Sequence, residues 1–389
     1  MDLRPHFSRF LAAAPHRLHF AAHSHHPWPD ATRDAQLRAW DDAARLQDGK
    51  WEEVLGPLLA ACQGHVARHL GLPDPRTIAF APNTHDFVRR ILASLPLEGG
   101  RVPRVLTTDG EFHSFARQVA RLEEEGLLHV TRVPSDPASS TLARLCDLAR
   151  SGFDLVWTSE VFYATGAALD GLEDLGHAAG NAVVVVDGYH AFLARPVNLS
   201  RVAGRIFYLA GGYKYAMAGE GCCFLHCPPG WLPRPRDTGW FAGFGALSRA
   251  DGGVEYAPDG GRFLGATFDP SGLYRLDAAM RWFDEAGLTV EAVHAHALAL
   301  GERFCAGLRG PAFDGWQLAV PLGDARRGNF LSFAIRDAEA WHARLAAADV
   351  VVDRRSDRLR FGFGPYQTEL EVDRLNHRLD RIATVAAAA

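Results

Sequence analysis

Hydrophobic and polar positions change rhythm twice along this chain. Over residues 31–70 apolar side chains recur at three- and four-residue intervals (Leu37, Trp40, Ala44; Val54, Leu58, Leu59, Cys62, Val66), which predicts helix. Beyond Pro73, short apolar runs alternate with amphipathic stretches. The runs Thr77–Phe80, Val102–Thr107, Leu128–Val133, Asp154–Thr158, Ala182–Val186, Ile206–Leu209 and Cys222–His226 predict strands. Asp86–Leu95, Phe115–Glu125, Thr141–Arg150 and Leu172–Ala179 predict the helices between them. Such alternation implies a largely parallel sheet covered on both faces, and the unbroken VVVV that ends in Asp187 is the pattern of a fully buried strand. Residues 228–272 carry Gly, Pro and aromatics without a period. They read as an ordered excursion lining a site or an interface, or as a plain surface loop. A long helical stretch, Leu273–Arg309, precedes strands at Leu318–Val320, Phe330–Ile335, Val350–Val352 and Leu359–Phe363, with helices at Ala338–Ala347 and from Glu369. The expected fold is α/β. An N-terminal arm with helices (1–72) leads into a large α/β domain that carries the site (73–272), followed by a linking helix and a small C-terminal α+β domain (273–389).

Composition narrows the function classes. A chain of 389 residues, 48% hydrophobic, can bury a large core. A net charge of −5 leaves no electrostatic footprint for nucleic acid or an anionic membrane. No apolar run is long enough for a signal peptide or a membrane span, so a soluble cytoplasmic protein is expected. Six cysteines in a chain this long do not make a disulfide framework. Cys222 and Cys223 are adjacent in a strand-like run, where side chains point to opposite faces. The Cys222-Cys223-x3-Cys227 group therefore reads as buried packing rather than a metal set.

Of 41 basic residues only Lys50 and Lys214 are lysines, so 39 are arginine. A guanidinium stays protonated, whereas a lysine amine can lose its proton and form an imine. Lys50, in QDGKWEEVL, reads as a solvated surface residue. Lys214, in GGYKYAMAGEG, follows a strand, and Asp187 closes the strand before it. Ligands of parallel sheets gather at such strand ends. A lysine and an acid facing one ligand are what pyridoxal 5'-phosphate (PLP) requires: an amine for the Schiff base and a carboxylate that keeps the pyridine nitrogen protonated. Asn83-Thr84, before a predicted helix, is a candidate phosphate cradle, or an ordinary N-cap.

FDLVWTSEVFYATG, VVVVDGYHAF, LAGGYKYAMAGEGCCFLH and DTGWF, in that order, resemble the class V aminotransferase family of fold-type I PLP enzymes, and within it the kynureninase branch. The branch's Ser-x-Val-x-Tyr-x-Thr-Gly is matched by Ser159, Val161, Tyr163, Thr165 and Gly166. Its Asp-x-x-His is matched by Asp187 and His190, and its Tyr-Lys-Tyr with Gly-x-Gly by Tyr213, Lys214, Tyr215, Gly219 and Gly221. RRGNFLSF and VVDRRSDRLRFGFGPY resemble its C-terminal segments, and the likeness spans roughly residues 20–380.

The resemblance implies a PLP-dependent transferase fold and a Schiff base on Lys214, which also shuttles the α-proton. It implies Asp187 on the pyridinium, His190 supporting that carboxylate or the ring oxygen, and Tyr213 and Thr84 on the phosphate. Phe112 would stack on the ring. Trp240 and Thr267 would complete a neighbouring subunit's phosphate site in a homodimer, and Arg360 would clamp the carboxylate of an amino-acid substrate. Transamination is the activity expected, with kynureninase-type hydrolysis of a β–γ carbon bond as the alternative. Desulfuration is disfavoured, because no cysteine follows Cys305, where that branch carries its mobile nucleophile.

Three stretches depart from the branch. His23-Ser24-His25-His26 stands for Asn-Ser-Leu-Gly, and Phe112-His113-Ser114-Phe115 for Phe-Pro-Thr/Ser-Asp. Asp86, Val88 and Arg90 stand for Thr, Asn and His. His23 is placed with the substrate, and His23, His25 and His26 together read as lining the entrance of the cleft. A remote alternative is a metal-dependent hydrolase in which His23 and His25 share one strand face.

Overall fold

The computed structural model describes residues 2–96, 100–246 and 253–388. Its centre is a seven-stranded sheet in the order Ile78–Ala81, Cys223–His226, Ile206–Gly211, Val183–Asp187, Leu155–Ser159, Arg104–Thr108, His129–Val133. Cys223–His226 runs antiparallel to both neighbours, and the other pairings are parallel.

The VVVV run shows why the sheet is covered on both sides. Alternate side chains leave opposite faces of a strand. Val184 and Val186 enter a core with Leu145, Leu175 and Leu276, while Val183 and Val185 enter one with Phe87, Ile91 and Val119. Helices Leu59–Leu70, Ala138–Ala149, Leu172–Ala178 and Ser271–Glu285 supply the first face; Thr84–Ala93 and His113–Glu124 supply the second. The same alternation parts the cysteines, with Cys222 in the first core and Cys223 and Cys227 in the second.

Three expected elements are corrected. The helical run over 31–70 is interrupted at Gln47–Gly49 and again around Pro57, which has no N–H to continue the ladder. The stretch 273–309 is two helices, Ser271–Glu285 and Val290–Gly307. Between them Gly287 adopts a left-handed φ of 65°, and the Thr289 side chain caps the second helix at Ala292 N, 3.1 Å away. The break also separates the cores. Leu276, Met280 and Phe283 pack under the large sheet, whereas Ala297, Leu300 and Phe304 pack with Phe333 and Phe361. Third, the strand expected at 350–352 divides. Val350–Val351 pairs in parallel with Leu18–His19, while Asp353–Arg355 joins an antiparallel sheet with Arg358–Gly362, Phe330–Ala334 and Gln317–Leu318.

The N-terminal arm is therefore fastened to the C-terminal region. Just beyond that pairing the chain turns, with Ser24 N and His25 N both donating to the Ala21 carbonyl at 2.9 and 3.0 Å. His23 and His25 do not alternate on a strand: His23 is fully buried and His25 is exposed. This removes the geometry on which the metal-hydrolase alternative rested.

In the aperiodic excursion, the buried Arg262 guanidinium donates to the carbonyls of Pro228 (2.8 Å) and Trp231 (2.9 Å), and Phe263 enters the second core. Residues 247–252 of the excursion lie outside the described residues. Among those described, no helix is long and apolar enough to cross a membrane.

Candidate active site

Parallel register sets Ser159 opposite Asp187 and Asp187 opposite Leu209, at the carboxyl ends of three neighbouring strands. After Ile206–Gly211 the chain makes a tight turn before entering the antiparallel strand. Gly212 N donates to the Cys222 carbonyl (2.7 Å), Ala218 N donates to the Gly212 carbonyl (2.8 Å), and Met217 holds a positive φ of 56°. Lys214 sits in this turn, 5% exposed. Its Nζ lies 2.6 Å from His190 Nε2 and 4.5 Å from the centre of the Tyr189 ring, with the Phe112 and Tyr213 rings at 5.6 and 5.8 Å. These residues line a cavity of about 240 Å³ together with Asn83, Thr84, Ser159 and Asp187.

Burial decides the charges. It pushes the Lys214 amine down from the ordinary lysine range, and Asp187 opposes the shift. It pushes the Asp187 carboxyl up, against a bond accepted from Tyr189 N at 2.9 Å. His190 is held neutral by burial and then by the Lys214 charge, and its Nδ1 has no partner among the described residues. A buried amine that sheds its proton readily is a nucleophile, which a solvated ammonium is not.

The far end of the cavity is a helix N-terminus. Asn83 caps Thr84–Ala93 by accepting from Asp86 N at 3.0 Å, the alternative reading of this pair, and the helix begins at the cavity with its first N–H groups unpaired within the helix. An amine, a carboxyl, an aromatic ring, an unpartnered imidazole nitrogen and a helix N-terminus around one cavity fit a PLP-sized anionic ring in donor chemistry.

Seven of the expected residues meet here: Lys214, Asp187, His190, Tyr213, Asn83, Thr84 and Phe112. Four others lie outside the cavity wall. Arg360 is 2% exposed, one layer behind it. The guanidinium donates to the Asp353 carboxylate and to the carbonyl of Tyr163, itself a wall residue. His23 is stacked on Phe330, with centroids 4.4 Å apart, and takes no part in an entrance. His26 is likewise buried, whereas His25 is exposed and stacks on Tyr213 at 5.3 Å. Trp240 and Thr267 are exposed.

Phe115, at the position where the branch has an acid, stacks on Trp157 with centroids 4.2 Å apart and forms part of the wall. Tyr189 and Glu111 were not singled out in the sequence. Tyr189 stands two residues after Asp187, where strand-end geometry could have flagged it. Glu111 accepts from Thr108 Oγ1 (2.6 Å), Ser159 N (3.1 Å) and Ser159 Oγ (2.7 Å). A buried carboxyl has no signature in a polar/apolar pattern, and its position beside Phe112 was the available hint.

The family model of the kynureninase C-terminal domain matches residues 293–379. No curated protein matches the chain. Among solved structures, a variant of the cystine C-S lyase C-DES, with glycine covalently linked to its PLP cofactor, is similar with a TM-score of 0.84 at 19% identity, over 98% of this chain and 99% of that one. The apo cysteine desulfurase of Thermococcus onnurineus gives 0.79 at 18% identity, over 95% of each chain. The cysteine desulfurase CsdA of Escherichia coli gives 0.79 at 18%, over 97% of this chain and 98% of that one. At these identities the likeness is one of fold. The chain has the fold of the class V, fold-type I PLP-dependent enzymes, and its residues 293–379 match a kynureninase C-terminal domain.

Proposed function

We propose that this protein is a PLP-dependent enzyme acting on an amino acid, with Lys214 as the point of covalent attachment. The observation that carries the reading is the buried Lys214 amine, set among His190, Tyr189 and Asp187 in a cavity that opens on a helix N-terminus. Asp187 would keep the pyridine nitrogen protonated, and His190, 2.6 Å from Lys214 Nζ, would support that carboxylate or the ring oxygen. Phe112 would stack on the ring, and Tyr213, Asn83 and Thr84 would hold the phosphate. When bound, the cofactor supplies an electron sink for the charge left on the substrate's α-carbon. Lys214 Nζ takes the proton from that carbon and returns it. Arg360, held behind Tyr163 by its bonds to the Tyr163 carbonyl and Asp353, would turn from Asp353 to bind the substrate carboxylate.

Transamination is the reaction proposed. Kynureninase-type hydrolysis is the second reading, favoured by the match of residues 293–379. A protein-borne persulfide is not proposed, because burial pushes the thiol of Cys223, beside Tyr189, up to about 11 and that of Cys305 also to about 11. The subunits pair, so that the exposed Trp240 and Thr267 complete a partner's phosphate site.

The test is borohydride reduction of the PLP-loaded protein, followed by an amino-acid panel read in the cofactor's absorption. Label on the Lys214 peptide supports the reading, and label on Lys50 or none sinks it. Conversion to the pyridoxamine form indicates transamination, whereas release of alanine with an aryl acid indicates hydrolysis.

A further inference from the structure

His23 is completely buried, yet among the described residues neither of its ring nitrogens has a hydrogen-bond partner. Packing alone holds the ring. One face lies on Phe330 at 18° to its plane, and Nδ1 fills the space above Gly362, where a Cβ would come within 2.1 Å of it. Gly362 ends the strand that carries Arg360. The free Nε2 of His23 points at Asp353 and stops 4.0 Å from Oδ2, the same oxygen that Arg360 Nη2 holds. Arg355 reaches only the other oxygen, Oδ1, at 3.4 Å. Arg360 Nε is unpartnered as well.

Arg360 is therefore committed to Asp353, a buried partner it must share or leave if it is to grip a carboxylate in the cavity. A buried carboxylate oxygen stripped of its donor is unfavourable unless another donor takes its place. An imidazole carrying hydrogen on Nε2 is such a donor, one small displacement away. Burial, then the charges of Arg360 and Lys214, keep the ring neutral, so it brings no additional charge into the layer.

We propose that His23 is a positioning residue that takes over Asp353 Oδ2 when Arg360 turns to the substrate carboxylate. This rests on the reading that Arg360 binds that carboxylate. His23 itself touches neither substrate nor cofactor. Its position explains why a histidine is held there fully buried with both nitrogens free among the described residues. In the resting state the imidazole waits at a distance too long for a bond, and the bond forms only in the occupied state.

The experiment titrates glycine, and methylamine as the probe without a carboxylate, into the PLP-loaded protein, following the cofactor's visible absorption. His23→Leu should weaken glycine by roughly ten- to a hundredfold, the worth of a hydrogen bond to a charged group, and leave methylamine unchanged. His23→Gln, which retains a donor, should recover most of the loss. With Asp353→Asn in place, His23→Leu should have little further effect, since no charge then awaits a donor. If Arg360→Ala weakens glycine selectively but His23→Leu does not, the proposal is overturned while the carboxylate reading stands. If Arg360→Ala leaves glycine unchanged, the carboxylate reading fails and the proposal fails with it. Equal weakening of both probes by His23→Leu marks a merely structural role and also overturns it. Should His23→Leu not fold, nitrogen-15 histidine spectra of the unaltered protein decide. Glycine should bring one Nε2–H into slow exchange with solvent, and no change on addition counts against the proposal.

Discussion

Two carboxyls behind the cavity, Glu111 and Glu160, are buried to 3% and 4% exposure, and burial pushes each up to about 7. Glu111 is surrounded by Thr108 and Ser159, and Glu160 accepts from Tyr208 Oη at 2.7 Å. Between the ordinary glutamate range and about pH 7, the folded chain therefore binds protons that the unfolded chain has released. Stability from these groups is full at acid pH and is lost as pH rises through 7. The buried imidazoles of His19 and His226, both lowered to about 4 by burial, act in the opposite sense, because they resist protonation at acid pH. The informative quantity is the difference between a variant and its parent. Glu111→Gln is neutral at every pH, so its melting temperature should gain on the parent's as pH rises from about 5 to about 8. A parallel pair of curves in scanning calorimetry would show that Glu111 is already ionised in the fold.

At the scale of the elements, the end of Ile206–Gly211 governs the site. A Cβ on Gly211 would lie 2.0 Å from Tyr189 Oη and 2.5 Å from Cys223 Sγ, so even alanine must displace the Tyr189 ring that covers the Lys214 amine. Overpacking of this kind costs about 1–3 kcal/mol. Gly211→Ala should therefore leave a folded protein that releases PLP faster, by roughly tenfold or more, measured by transfer of the cofactor to an apo-acceptor. Unchanged retention would place Tyr189 outside the cofactor's support.

This geometry also marks what a sequence can disclose. The alternation in VVVV and the runs around it locate every strand of the large sheet to within two residues, because burial on both faces demands apolar side chains along its inner strands; the edge strand His129–Val133 is mostly exposed. Lys214 and Asp187 stand out in the sequence because chemistry restricts which residues a PLP site could use, and both line one cavity. The break at Gly287–Thr289 is not legible, since two helices on different cores continue one apolar rhythm. Nor is the setting of Arg360, whose partner Asp353 faces it across a strand pair, a relation of register rather than of spacing. His23 reads as a cleft histidine in sequence, and the turn at Ala21 instead buries it.

For the whole molecule, the N-terminal arm ties the C-terminal sheet to the lysine turn. It pairs at Leu18–His19 with Val350–Val351, and a few residues later His26 N donates to the Tyr213 carbonyl at 3.1 Å. From the other side, Tyr215 Oη donates to the Asn329 carbonyl at 3.0 Å, next to the Phe330 that carries His23. The chain thus braces Lys214 on both flanks, while another part of its cavity wall is one helix N-terminus. Trp240, 42% exposed, stacks on Phe241 at 4.1 Å beside Phe244, 51% exposed, an apolar surface away from that cavity wall. If a second subunit covers this surface and takes Trp240 into its own phosphate site, each site is built from two chains. Trp240→Ala should then weaken PLP retention roughly tenfold without altering the Lys214 environment, and Lys214→Ala should abolish covalent attachment. Mixing the two variants after gentle dissociation should restore tight PLP binding in the mixed dimer, where one site has both Lys214 and the partner's Trp240. Retention that stays at the level of the Trp240→Ala parent would mean that each chain builds its site alone.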